Sequence, residues 1–199
     1  MPELPDITMH KARFLKEFIR HPTATWAIAE SSRELAELIT DTADLSHASA
    51  VVEFGSGTGV FTEKILERIS KDTTAIALEI NPAFVEATRR RCPQASVFHD
   101  SAVNTAQYLR RAGIEQCDRI ICGLPWACFS QDLQDQLLDT IMEVLAPGGK
   151  FLTFAYIHGL LLPSGRRFRR CLSSQFKEIV ETRVIWKNLP PAFVYCAER

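Results

Sequence analysis

The chain has 199 residues, enough for one domain of ordinary size and too few for two. Hydrophobic residues make up 46% and charged residues 24%, which excludes a disordered chain. The 23 Lys and Arg against 24 Asp and Glu leave a net charge of −1, which excludes a globally basic nucleic-acid binder and makes DNA an unexpected partner.

In chain order, residues 1–48 read as an N-terminal helical extension. Phe14, Leu15, Phe18 and Ile19 share one helical face, with Lys11, Arg13, Lys16 and Arg20 largely elsewhere. Residues 7–21 hold four basic side chains and one acid, Glu17, so four minus one gives +3. A basic amphipathic helix of this kind lies in an anionic membrane interface or packs on its own domain.

From residue 49 onward strands and helices alternate. Ala50–Phe54 is an apolar strand ending in the cluster Gly55-Ser56-Gly57-Thr58-Gly59. Phe61, Ile65 and Ile69 then mark a helix face, residues 74–80 a second strand, and Pro82 the first turn of the next helix. Ser96-Val97-Phe98 is a third strand, followed by a helix to about Arg111, and Cys117–Cys122 is a fourth strand. Leu133, Leu137, Ile141 and Leu145 mark a helix stopped by Pro147-Gly148-Gly149, and residues 150–156 begin a fifth strand.

Repeated βα units of this length predict a mainly parallel sheet covered on both faces. Residues 176–187 and 192–196 read as two strands joined by Asn188-Leu189-Pro190-Pro191, too short for a crossover helix, and so antiparallel. The expected fold is a seven-stranded, Rossmann-like α/β domain over residues 49–199. Cys92, Cys117, Cys122, Cys128, Cys171 and Cys196 form no CxxC pair and have no His at zinc-finger spacing, so they read as reduced thiols with no metal. Without a signal peptide or a long uncharged apolar run, a soluble or peripheral protein of a reducing compartment is expected.

Gly55, Gly57 and Gly59 stand after the first sheet strand, where a doubly wound fold binds its ligand. Val60 replaces the third glycine of a dinucleotide fingerprint, which argues against NAD or FAD. Glu79, with Ile80 after it, ends the second strand, where a carboxylate can accept both hydroxyls of a ribose. Asp100, with Ser101 and Ala102, follows the third strand, where a side chain can meet an adenine amino group. A competing reading makes Glu79 and Asp100 helix N-terminal acids favoured by the dipole.

Loop and acids together resemble the class I S-adenosylmethionine-dependent methyltransferases, and residues 52–59 resemble the first motif of that superfamily. The resemblance implies S-adenosyl-L-methionine as cofactor, held by Glu53, Gly55, Ser56, Gly57, Thr58, Gly59, Glu79, Ile80, Asp100, Ser101 and Ala102. Glu53 would face its methionine end.

The fourth strand ends in Gly123-Leu124-Pro125-Trp126, where amine and adenine N-methyltransferases carry an acceptor motif. Backbone carbonyls there would aim the acceptor nitrogen, and the aromatic ring would pack against it. Gly123 stands where base-methylating members hold Asn or Asp, which counts against a flipped nucleobase. Gly-Leu-Pro, residues 14–20 and 25–32, and residues 188–195 are instead similar to the bacterial phospholipid N-methyltransferases that act on phosphatidylethanolamine. Two departures are Glu30, where Pro is usual, and Trp26, where a smaller residue is common.

That resemblance implies methylation of an amine headgroup towards phosphatidylcholine, at the inner face of a membrane. Arg166, Arg167, Arg169 and Arg170 would then meet the lipid phosphate, unless they form a solvated helix face. Tyr156, His158 and Asp100 are the candidate proton acceptors for the amine, with a loop or packing role as the competing reading of His158. An RNA adenine N6-dimethylase, an N-methyltransferase of a soluble amine, and a membrane-binding protein without turnover are the competing readings. Self-association is left open.

Overall fold

The computed structural model describes residues 32–199. Seven strands are β1 (Ala50–Phe54), β2 (Thr74–Glu79), β3 (Ser96–His99), β4 (Cys117–Cys122), β5 (Leu145–Tyr156), β6 (Glu178–Glu181) and β7 (Ala192–Glu198). Ahead of β1 runs α1 (Arg33–Ala43), and between the strands run α2 (Val60–Arg68), α3 (Pro82–Arg91), α4 (Thr105–Arg111), α5 (Gln131–Val144) and α6 (Pro163–Gln175). The strands form one sheet in the order β3-β2-β1-β4-β5-β7-β6. The first five are mutually parallel, and β7 runs antiparallel to both β5 and β6.

Neighbouring residues of the central strands feed opposite faces, as the pleat requires. Val52, Ile120, Phe151 and Phe193 pack on one side with Leu109 of α4, Leu137 and Ile141 of α5, and Phe168 and Leu172 of α6. Val51, Ile121, Leu152 and Val194 pack on the other with Leu35 and Ile39 of α1 and Phe61 and Ile65 of α2. Double coverage makes these strands continuous apolar runs in the sequence.

Three details differ from the sequence expectation. The helix α5 ends at Val144, and β5 starts at Leu145, ahead of Pro147-Gly148-Gly149, because Leu145 already pairs with Cys117. The strand expected over residues 176–187 is only four residues long, with one further bridge from Ile185 to Ala192. Finally α1, which falls within the expected 1–48 extension, lies in the helical layer itself, with Leu35, Ala36, Ile39 and Ala43 fully buried. Lys11, Arg13, Phe14, Lys16, Phe18 and Arg20 lie outside the described residues.

Candidate functional site

Strand order reverses between β1 and β4, so the connections leaving their carboxyl ends diverge to opposite faces and open a crevice. The backbone N–H of Gly123 donates to Phe54 O at 2.8 Å, and that of Gly55 donates to Leu78 O at 2.8 Å. A Cβ at Gly123 would come 2.6 Å from the Gly55 carbonyl oxygen, and one at Gly55 would come 2.6 Å from Leu124 Cδ2. The glycine loop and the acceptor loop therefore touch backbone to backbone, which only glycine permits.

Gly55, Gly57 and Gly59 all adopt positive φ, and Gly59 is the N-cap of α2. The loop is braced from α3: Thr88 Oγ1 donates to Gly57 O at 2.8 Å and shares a 3.1 Å hydrogen bond with Ser56 Oγ. The Thr58 carbonyl accepts from Arg91. Glu79 is buried at the end of β2, where its two oxygens accept the N–H groups of Gly57 at 3.0 Å and Asn81 at 2.8 Å. One carboxylate thus ties the glycine loop to the second strand while keeping further lone pairs.

Glu53 is the unusual residue. It is 2% exposed; Oε2 accepts from Thr62 Oγ1 of α2 at 2.6 Å, and Oε1 is buried with no hydrogen-bond partner. Burial pushes its pKa up to about 7, against the Thr62 hydrogen bond, with nearby Glu79 adding a further rise. A buried acceptor left open next to a glycine loop is suited to a cationic ligand group. Thr62, Thr88 and Asn81 were not singled out from sequence. Thr62, nine residues after Glu53 on the inward face of α2, was the one legible signal.

Asp100 sits where expected but points along its own helix. Its carboxylate accepts from Ser101 N–H, Asn104 Nδ2, Gln107 Nε2 and Tyr108 OH at 2.7 to 3.0 Å. Burial works to raise its pKa, but these hydrogen bonds outweigh it and hold the carboxyl below its ordinary value. Its four acceptor positions are taken, so an adenine amino group reaches it by displacing a donor. Ser101 caps the short turn at Ala102–Asn104, Ala102 is buried, and the Ile80 carbonyl bonds His99 Nε2 at 2.9 Å.

Beyond Leu124 a cavity of about 190 Å³ is lined by Pro125, Trp126, Cys128, Tyr156, His158 and Leu162, among others, with no Asp, Glu, Lys or Arg among the described residues of its wall. Trp126 is a wall of this cavity and not a free lid. Its ring is 3% exposed and stacks on Phe168 at 4.2 Å, and Nε1 donates to Thr153 Oγ1 at 3.1 Å. Tyr156 stacks on His158 with ring centroids 5.5 Å apart, and burial, followed by nearby Cys128, raises the pKa of its phenol. The arginine cluster divides. Arg167 grips both oxygens of Asp135 at 2.7 and 2.8 Å and Arg169 pairs with Glu181 at 2.9 Å, while Arg166 and Arg170 stay exposed.

Residues 51–149 match a family model described as a methyltransferase domain. Over 185 residues, 92% of either chain, the sequence is 33% identical to an ornithine lipid N-methyltransferase of Singulisphaera acidiphila. The chain belongs to the class I S-adenosylmethionine-dependent methyltransferases. A shorter stretch of 63 residues, 32% of this methyltransferase and 20% of the relative, is 44% identical to a ribosomal RNA small subunit methyltransferase A of Salinibacter ruber. In fold it is similar to an O-methyltransferase of Bacillus cereus solved with SAH, with a TM-score of 0.70 at 13% identity over 93% of this chain and 90% of that one. The residues present fit the cofactor: Glu53 Oε1 is an open buried acceptor for an ammonium group, and Glu79 keeps lone pairs for ribose hydroxyls.

Proposed function

We propose that this methyltransferase transfers methyl groups to the primary amine of a membrane lipid headgroup, phosphatidylethanolamine towards phosphatidylcholine being the expected case. The apolar cavity beside Pro125 carries the proposal, since a wall whose described residues include no Asp, Glu, Lys or Arg suits the hydrocarbon-bearing stem of an amine lipid better than a nucleotide. The ornithine lipid relative supports the same class, because both lipids join a primary amine to an anion and acyl chains. Gly123 supplies no side-chain acceptor for a base amino group, which sets the adenine reading below the lipid one.

Bound S-adenosylmethionine supplies a methyl group on a sulfonium, open to direct displacement. Glu53 and Glu79 would hold the donor, and the Gly55–Gly123 contact fixes the distance between donor loop and acceptor loop. The amine must arrive unprotonated, although its ordinary pKa lies near that of Lys, about 10. Tyr156, its phenol raised, stays protonated and offers a hydrogen bond; Asp100 is committed to its helix. His158 is left to take the amine proton on a ring nitrogen, directly or through water.

Vesicles containing phosphatidylethanolamine, or ornithine lipid, with a labelled methyl donor test this. Label in lipid is the expected result, and the two vesicle types report the headgroup. Label in RNA or a soluble amine, with none in either lipid, refutes the proposal.

A further inference from the structure

Six large hydrophobic side chains are exposed among the described residues: Phe98, Leu161, Leu162, Val180, Trp186 and Leu189. Four of them crowd one edge. Tyr156, the last residue of β5, pairs with Ala192, the first of β7, and Ile157 N–H donates to Pro191 O at 3.1 Å. The two connections meeting there carry Leu161 and Leu162 on one side, and Trp186 and Leu189 on the other. Since β5 runs parallel to β4, this is the edge that also carries the Gly123 loop, and Leu162 lines the cavity.

The Trp186–Leu189 turn is held from beneath. Ile185 and Ala192 exchange backbone hydrogen bonds at 2.7 and 3.3 Å. Asn188, 3% exposed, accepts from Ser32 N–H at 3.0 Å and donates to Pro190 O at 2.6 Å. A fixed polar anchor therefore presents Trp186 at 72% and Leu189 at 78% exposure. An exposed Trp beside exposed leucines marks a surface built for an apolar partner.

Charge selects which partner. Residues 157–175 and 182–191 contain no Asp or Glu. Arg167 and Arg169 are paired with protein carboxylates, whereas Arg166, Arg170, Arg183 and Lys187 form no ion pair among the described residues. Tryptophan and leucine among unpaired cations match the interface of an anionic bilayer, where aromatic rings sit at headgroup depth and each cation adds attraction.

We infer that the tip carrying Trp186 and Leu189, together with the Leu161–Leu162 turn, docks on an anionic lipid bilayer and sets the cavity mouth at headgroup level. This rests on the lipid reading of the site.

The test compares the full chain with the double variant Trp186→Ser, Leu189→Ser. Cosedimentation uses phosphatidylcholine vesicles with and without phosphatidylglycerol, and methylation is measured on vesicles and on a short-chain amine lipid below its micellar concentration. The variant is expected to lose about tenfold or more in binding to anionic vesicles and in vesicle methylation, while methylating the dispersed lipid at the unaltered rate. Equal vesicle binding by both proteins overturns the docking surface. A parent chain that methylates neither lipid form overturns the lipid reading instead. A dimer in the parent chain that the variant dissociates assigns the patch to a second copy and also refutes the inference.

Discussion

Glu53 makes cofactor binding and fold stability depend on pH in opposite directions. Its carboxyl is raised from 4.5 to about 7. Below pH 4.5 the group is neutral in both folded and unfolded chains. Between 4.5 and about 7 the unfolded chain ionises first, so the ligand-free fold loses about 3 kcal/mol relative to a neutral residue, and the loss is constant above that range. Glu53→Gln keeps an acceptor for Thr62 and should raise the melting temperature of the ligand-free protein at pH 8. Cofactor affinity should respond oppositely. The ligand's α-ammonium, beside its own carboxylate, keeps its proton from about pH 6 to 8, and Glu53 must be ionised to meet it. With Glu53 at about 7, its ionised fraction is about tenfold lower at pH 6 than at pH 8. Calorimetric titration with S-adenosylhomocysteine across this range reads the acidic limb. In Glu53→Gln the acidic limb should vanish with a lower plateau. An acidic limb that survives in the variant, or a variant no more stable than the parent at pH 8, refutes the reasoning.

Gly123→Ala drives a Cβ onto the Gly55 carbonyl oxygen and should cost about tenfold or more in S-adenosylhomocysteine affinity. Gly57→Ala meets open space and costs only its positive φ, about 1 kcal/mol of stability on thermal melting. Equal effects of the two would deny the loop contact its role. Trp126→Ala removes a stacked, hydrogen-bonded core ring and should cost about 3–5 kcal/mol, with Trp126→Phe losing about 1 kcal/mol through the Thr153 hydrogen bond. A Trp126→Ala protein that melts normally and changes only KM would restore the ring to a substrate-facing role. Glu79→Gln sets an amide N–H against one of the two backbone N–H groups, of Gly57 and Asn81, that the buried carboxylate accepts, and should lower cofactor affinity and cost about 1–3 kcal/mol of stability, as equilibrium binding and calorimetry can check together.

Much of the sheet was legible because burial on both faces writes continuous apolar runs, as in Ile120-Ile121 and Phe151-Leu152. The antiparallel end was legible from one spacing, the four residues 188–191, which cannot hold a crossover helix. What the sequence concealed was decided by distant partners. Pro147-Gly148-Gly149 reads as a stop, yet Gly148 N–H donates to Arg199 O and Arg199 N–H to Gly149 O, so pairing with the chain's far end carries β5 through the turn. Trp126 reads as a substrate-facing ring until Phe168, forty-two residues on, stacks over it. Asp100 reads as an open acceptor, and only the register of α4 brings Asn104, Gln107 and Tyr108 back onto it.

The close approach of Gly123 to Gly55 has a consequence for how such an enzyme can diversify. With no room for a side chain at the meeting point, a new acceptor specificity gained there would spoil the grip on the methyl donor. Change is left to the far wall, where the side chains of Cys128, Leu160 and Leu162 line the cavity. Selection can thus reshape the guest while the donor stays fixed, provided the two loops remain bare where they cross.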